Sequence, residues 1–215
     1  MTKKQLKEDP FFEEIAHIIG FFQKKQKTIL IIGIILIIAI GGFFGNKVIT
    51  QQKNTQAVGY FGIAMDYYNK NNMAAAEDQF NLLAEQYGTT DWGKRGYYYL
   101  GLISRKLGQP EDESVIYFET FISSNIKDDA LKTSAYQLIG TYYYRNGDAL
   151  AAGENYLEAA KHALVKTDKL AYGIRAAESY IEIGESAKLD AVLNYLTGLD
   201  LDENELNRIN VLANF

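Results

Sequence analysis

The chain contains no cysteine. That excludes a disulfide framework, a thiolate zinc site, a cysteine nucleophile and a lipoprotein anchor. Histidine is almost as scarce, with His17 and His162 the only two. They leave little for metal ligation or general-base catalysis. Two prolines and eighteen glycines in 215 residues exclude a collagen-like or proline-rich disordered chain. Basic residues are not in excess either. A net charge of −5 argues against a general nucleic-acid binder, which needs a basic patch. G-x-S-x-G, a phosphate-binding glycine loop and H-E-x-x-H are all missing. The chain reads as a non-enzyme: no catalytic residue, cofactor or metal is expected.

What is present is unevenly spread. Eleven of the first forty-five residues are isoleucine, and all sixteen tyrosines follow residue 59. Such a split implies two parts in two solvents. Residues 29–45, ILIIGIILIIAIGGFFG, carry no charge. As a helix they rise about 26 Å, near the lower limit for a bilayer core. Thr28, Val48 and Ile49 lengthen the span to 28–49, and Lys27 can snorkel to the interface. A buried core helix of that length would normally keep a polar face. A cleaved signal peptide usually has a shorter apolar stretch and a small-residue cleavage site. Here the stretch ends in Gly-Gly-Phe-Phe-Gly-Asn-Lys, so a retained anchor is expected. Lys3, Lys4, Lys7, Lys24, Lys25 and Lys27 precede it, against Lys47 and Lys53 just after. The positive-inside rule then places residues 1–27 in the cytoplasm and the rest outside, in the periplasm of a two-membrane cell.

Two features flank the span. Gly41 and Gly45 form G-x-x-x-G, which suits close pairing of membrane helices but also occurs as plain glycine tolerance. An oligomer held through the span is one consequence. In the leader, Asp9-Pro10 can start a helix. Phe11, Ile15, Ile18 and Phe22 then share a face, with Glu13, Glu14 and His17 opposite. This amphipathic segment could lie on lipid or on a membrane protein, and His17 reads as a solvated residue.

Residues 50–215 read as helix after helix, broken at 69–72, 108–112, 146–148 and 184–186. A five-point pattern recurs: a small residue, an aromatic three later, a turn residue at seven, a small residue at twelve, a large apolar at sixteen. Ala64, Tyr67, Asn71, Ala76 and Phe80 fit, as do Gly140, Tyr143, Gly147, Ala152 and Tyr156. Ala177, Tyr180 and Gly184 fit, with Leu189 and Leu193 replacing the last pair. Gly101 and Gly108 fit, with Ser104 in the aromatic position and Ser114 and Phe118 shifted by one. The periods are 37, 39 and 37 residues. Small residues let two helices approach, large ones fill the groove, and Gly or Asn tolerates positive φ at the turn. The pattern resembles the tetratricopeptide repeat. The expected fold is all-α: one transmembrane helix, then a solenoid of about four helix pairs. Asp202 and Glu205 have cap spacing and open a closing helix.

Tyrosine dominates the candidate surface. Tyr97–Tyr99 and Tyr142–Tyr144 each set three rings in sequence, and one helix cannot bury all three equally. Tyr98, Tyr142, Tyr99 and Tyr68 are the candidate partner-binding residues, with packing between repeats as the alternative role. Residues 46–215 carry sixteen basic and twenty-three acidic side chains, a net −7, which would suit basic or extended apolar peptides. Acidic pairs such as Asp128-Asp129 read as solvated charge, and His162 as a cation at a helix end.

The order of parts carries a further resemblance. A leader from Lys3 to Lys27, a span from Ile29 to Gly45 and repeats from Ala57 resemble the YfgM-like family of bacterial inner-membrane proteins, ancillary subunits of the Sec translocon. The resemblance implies a periplasmic adaptor or holdase whose partners are translocon subunits, periplasmic chaperones or exported clients. A scaffold of another envelope machine, for outer-membrane assembly, division or secretion, is the competing expectation, because fold does not fix partner.

Overall fold

The computed structural model describes residues 25–213. The leader helix proposed from Asp9 to Phe22, with His17 and Ile18, lies outside the described residues. Among those described there is no strand. Nine helices follow in order: α1 Gln26–Asn69, α2 Met73–Tyr87, α3 Asp91–Leu107, α4 Glu111–Ser123, α5 Asp129–Arg145, α6 Ala149–His162, α7 Lys166–Ile183, α8 Ser186–Thr197 and α9 Glu203–Leu212. The chain divides into two compact units, residues 1–52 and 53–215.

In the first unit, α1 is long and apolar enough to cross a membrane, and its apolar window is not buried at all. Leu30, Ile31, Ile35, Ile37, Ile38 and Phe43 are all exposed. An uncovered apolar run of this length marks a surface for contact with a membrane or another protein. Helical structure does not end where the hydropathy falls at residue 49, since no proline lies between 49 and 69 and the helix carries Gly59 and Gly62 without a break.

In the second unit the helices start and stop on local signals. Asn72, Thr90, Asp128, Asp148 and Asp202 each accept a hydrogen bond from the backbone N–H three residues on, satisfying a donor the first turn leaves free. Asp202 and Glu205 form a complete capping box on α9. The turns after α1, α3, α5 and α7 each hold a residue in the left-handed region: Asn71 (φ 58°), Gly108 (71°), Gly147 (79°) and Gly184 (70°). Asn125 (φ 55°), before the buried Ile126, is a fifth such turn that the repeat pattern does not contain.

Consecutive helices from α2 to α9 pack on each other, and α9 also meets α7. The chain reverses at the turns, because contacts lie at matched distances on either side. A Cβ at Gly101 would lie 2.6 Å from the Phe118 ring, and one at Gly140 would lie 2.9 Å from Tyr156. These glycines let a ring sit against the backbone of the preceding helix. Gly153 and Gly173 do the same for Tyr180 and Leu196. Three apolar clusters result. One joins the end of α1 to α2 and α3 through Ala57, Ala64, Ala76, Phe80 and Leu100. A second joins α3, α4 and α5 through Tyr98, Phe118, Phe121 and Ile139. A third runs from α6 to α9 through Ala152, Tyr156, Ala177, Tyr180, Leu189 and Ile209. Tyr67 and Tyr143 pack half-buried at the edges of these clusters, and Ser104 is fully buried where an aromatic stands in other repeats.

Candidate functional site

The tyrosines sort by which helix covers them. Of the two roles the sequence left open for Tyr98, partner contact and packing between repeats, its surroundings are those of packing. It is 7% exposed among Phe118 and Phe121, and its hydroxyl lies 2.8 Å from Ser134 Oγ on α5. The reason is packing: α5 closes over this face of α3. Burial pushes its phenol above the ordinary tyrosine value, partly offset by the Ser134 hydrogen bond. Tyr99 is half-buried and stacks on Phe80, with centroids 5.2 Å apart and planes within 3°. Burial raises its phenol as well. Tyr68 meets Tyr99 edge to face and carries the Lys106 ammonium 4.2 Å above its ring. Tyr142 is half-buried and packs edge-on against Tyr143. Of the six tyrosines in the two runs of three, Tyr144 is the most open, at 53% exposure.

Gly41 and Gly45 are exposed, and a Cβ at either would meet no other atom. His162 holds the ends of one hairpin together. Its Nδ1 lies 2.9 Å from Asp129 Oδ1, and its ring stacks on Tyr136. Among the described residues no group of three or more histidine or acidic side chains could hold a metal ion.

Two recesses are formed by α5–α8. One, of about 310 Å³, is lined by Tyr144, Tyr156, Arg175, Glu178 and Ser179. The other, of about 380 Å³, is lined by Glu154, Leu157, Glu158, Tyr180, Lys188 and Ala191. In the second, the charges are internally paired: Lys188 on Glu154 at 2.5 Å and Lys161 on Glu158 at 2.7 Å. The first brings together α5 and α7 over a ring of α6. Its Arg175 guanidinium carbon lies 5.7 Å from the Tyr156 ring centroid. Sequence reading missed Tyr144, Arg175 and Glu178 as a group. A usable signal existed: they lie four after, two before and one after the small residue of their repeats, Gly140 and Ala177. Reading those offsets across adjacent repeats would have placed them together.

Comparison with protein-family models gives no match for this chain, and comparison with curated proteins gives none.

Proposed function

We infer that the chain is a membrane-anchored adaptor. Its apolar N-terminal helix holds a helical-repeat domain at a bilayer, and that domain binds other proteins. The observation that carries this reading is the uncovered apolar helix joined in one chain to successive helix hairpins. The hairpins support a tetratricopeptide-like solenoid. Its spaced small residues sit against rings of the next helix, and its turn residues have positive φ. A repeat array is extended, and its exposed surface grows with its length, which suits protein partners better than a small substrate.

The six lysines before the span against two just after it favour a cytoplasmic leader and a repeat domain outside the inner membrane. The resemblance to the YfgM-like family favours the Sec translocon as the place of work, with exported chains or periplasmic chaperones as partners. Crosslinking in intact membranes tests this. A photoreactive residue placed at the exposed Tyr144, and another at Tyr68, are read by mass spectrometry. Translocon subunits and newly exported chains are the expected adducts. A single unrelated envelope complex, with neither, would replace the translocon reading by that of a dedicated scaffold. The absence of any protein adduct would defeat the adaptor reading itself.

A further inference from the structure

Within the second unit, α1 packs on the repeats through one face. Ala57 and Ala64 are fully buried there, with Tyr60, Phe61 and Tyr68 packed beside them. At 100° per residue, the opposite face carries Thr55, Gly59 and Gly62, flanked by Val58 and Ile63. Val58, Gly59, Gly62 and Ile63 are all exposed. Counting back along the same helix in steps of three and four gives Gln52, Val48, Gly45, Gly41, Ile38, Ile34 and Ile31. Between residues 48 and 65 the only charged side chain is Lys53, and it points away from this face. The chain as a whole is 23% charged, and the terminal unit of a repeat array normally turns a polar outer face to water. The outer face of α1 is instead apolar, small and uncharged.

A single copy gives the glycines of this face nothing to do. At Gly101 and Gly140 the missing Cβ makes room for a ring, and at Gly147 the backbone needs positive φ. At Gly41, Gly45, Gly59 and Gly62 a Cβ would meet no other atom, and none of them has positive φ. Glycine nonetheless weakens a helix relative to alanine. A second helix laid on this face supplies the reason, because glycine lets two backbones approach closely. Anchoring identifies that helix. Copies held in one bilayer by the same segment run in the same direction, so in a symmetric pair each seam position meets its own counterpart. Such a seam must carry no charge, since a charged side chain would face itself. From Ile31 to Gly62 it carries none. Charge returns at the next position, Asp66, whose carboxylate pairs with Lys70 of its own chain at 2.6 Å. Length decides where pairing can occur. From Val48 to Ile63 the helix rises about 24 Å, and a helix-wide strip of that length buries on the order of 500 Å² over two copies. A specific interface that holds in water takes roughly 1,200 Å² or more. The stretch from Ile31 to Gly45 must therefore contribute, so the pair belongs to the anchored chain.

We propose that two copies of this chain pair in parallel along the outer face of α1, with Gly41 and Gly45 meeting their counterparts in the span and Gly59 and Gly62 meeting theirs beyond it. The proposal rests on the anchored reading above and is independent of the translocon. It carries the contact past the glycine pair of the span and into the first helix of the repeat domain. The repeats pack on the opposite face of α1, so each copy keeps its own array uncovered. The adaptor is then bivalent, and two weak partner contacts on one pair act together.

The test uses the full chain in its membranes. With no native cysteine, the single substitutions Val48→Cys, Thr50→Cys, Gln52→Cys, Lys53→Cys and Thr55→Cys report contacts without background. Mild oxidation is followed by non-reducing electrophoresis, and mass spectrometry identifies both halves of each product. A disulfide needs Cβ atoms about 4 Å apart. Disulfides between two copies of this chain are expected at 48, 52 and 55, and not at 50 or 53, which lie on other faces. Adding Gly59→Leu and Gly62→Leu to Val48→Cys should lower the yield about tenfold by blocking close approach. Their side chains enter open space, so the helical spectrum should be unchanged. Gly41→Leu with Gly45→Leu repeats the comparison inside the span, away from the repeat fold. Equal yields at all five positions, no disulfide at any, or a different protein as the second half overturns the proposal. So does a yield that neither glycine pair affects. If alkaline carbonate leaves the chain in the membrane pellet, such a result defeats the pairing and spares the anchor. If carbonate releases the chain, the anchored reading falls as well.

Discussion

At the scale of single residues, glycine does two different jobs in this protein. Gly153 has ordinary helical backbone, but a Cβ there would lie 2.6 Å from the Tyr180 ring. Gly147 has open space around it but φ of +79°. Gly153→Ala should therefore destabilise by about 1–3 kcal/mol through overpacking, despite the better helix propensity of alanine. Gly147→Ala should cost about 1 kcal/mol through backbone strain alone. Urea unfolding followed by circular dichroism distinguishes them, because a compensating Tyr180→Leu should relieve only the first. Tyr98 shows why a tyrosine is not read by exposure alone. Tyr98→Phe loses the bond to Ser134 and should cost about 1 kcal/mol, while Tyr98→Ala should cost about 3–5 kcal/mol by opening a cavity. A loss of partner binding in Tyr98→Ala would thus report folding rather than contact. Spectrophotometric titration should show Tyr98 and Tyr99 ionising above the ordinary tyrosine value. Their folded-state values are raised by burial, so the stability they lend is present below the ordinary tyrosine value of 10.0 and is lost as pH rises through the raised values.

At the scale of elements, α9 is held by few contacts and by charge. Its only fully buried side chain is Ile209. Lys166 Nζ on α7 lies 2.8 Å from Glu205 Oε2 and 2.9 Å from the Asp200 carbonyl. Lys166 draws the Glu205 carboxyl below the ordinary carboxylate value, and the Asp202 backbone N–H draws it further the same way. Glu205 in turn raises Lys166. For a depressed carboxyl, the stability is present above the unfolded value and lost as pH falls through the folded one. For a raised lysine, it is lost only as pH rises through a value above 10.5. Hydrogen exchange should therefore show α9 protected at neutral pH and loosening first on acidification, below the usual carboxylate range. Asp202→Ala should loosen α9 at all pH values, by about 1 kcal/mol for a lost cap. Uniform protection of α9 in that variant would show that packing alone holds it. Other elements are stapled across adjacent repeats at a regular distance. Gln109 donates to Glu77 at 2.9 Å, Arg145 pairs with Glu111 and Lys188 with Glu154, at separations of 32, 34 and 34 residues. The two exposed ion pairs, Arg145–Glu111 and Lys188–Glu154, each contribute only about 0–1 kcal/mol, so they serve register more than stability.

At the scale of the whole molecule, the testable claim is topology. The chain has no cysteine, so a single introduced one is an unambiguous reporter. A membrane-impermeant maleimide should label Ser186→Cys in intact cells and Thr2→Cys only after lysis. The reverse pattern would invert the proposed orientation. Alkaline carbonate should leave the full chain in the membrane pellet. Its release would mean that the apolar helix does not anchor it.

Much of this was determined by local chemistry that a sequence displays by itself. An uncharged isoleucine run is apolar wherever it folds, so the long exposed helix is legible directly. The turns at Asn71, Gly108, Gly147 and Gly184 are legible because few residues tolerate positive φ. The capping box at Asp202 and Glu205 is legible because both partners lie within one turn. Tertiary structure alone decided the fate of the tyrosines. Adjacent rings on one helix have the same composition and differ only in which neighbouring helix covers them. So Tyr98 is buried under α5, Tyr99 is stacked on Phe80 and Tyr144 is left open. Tertiary structure also decided the recess. Tyr144 and Arg175 stand 31 positions apart in the sequence, and only the packing of α5 and α7 over Tyr156 brings a ring and an unpaired guanidinium to one place.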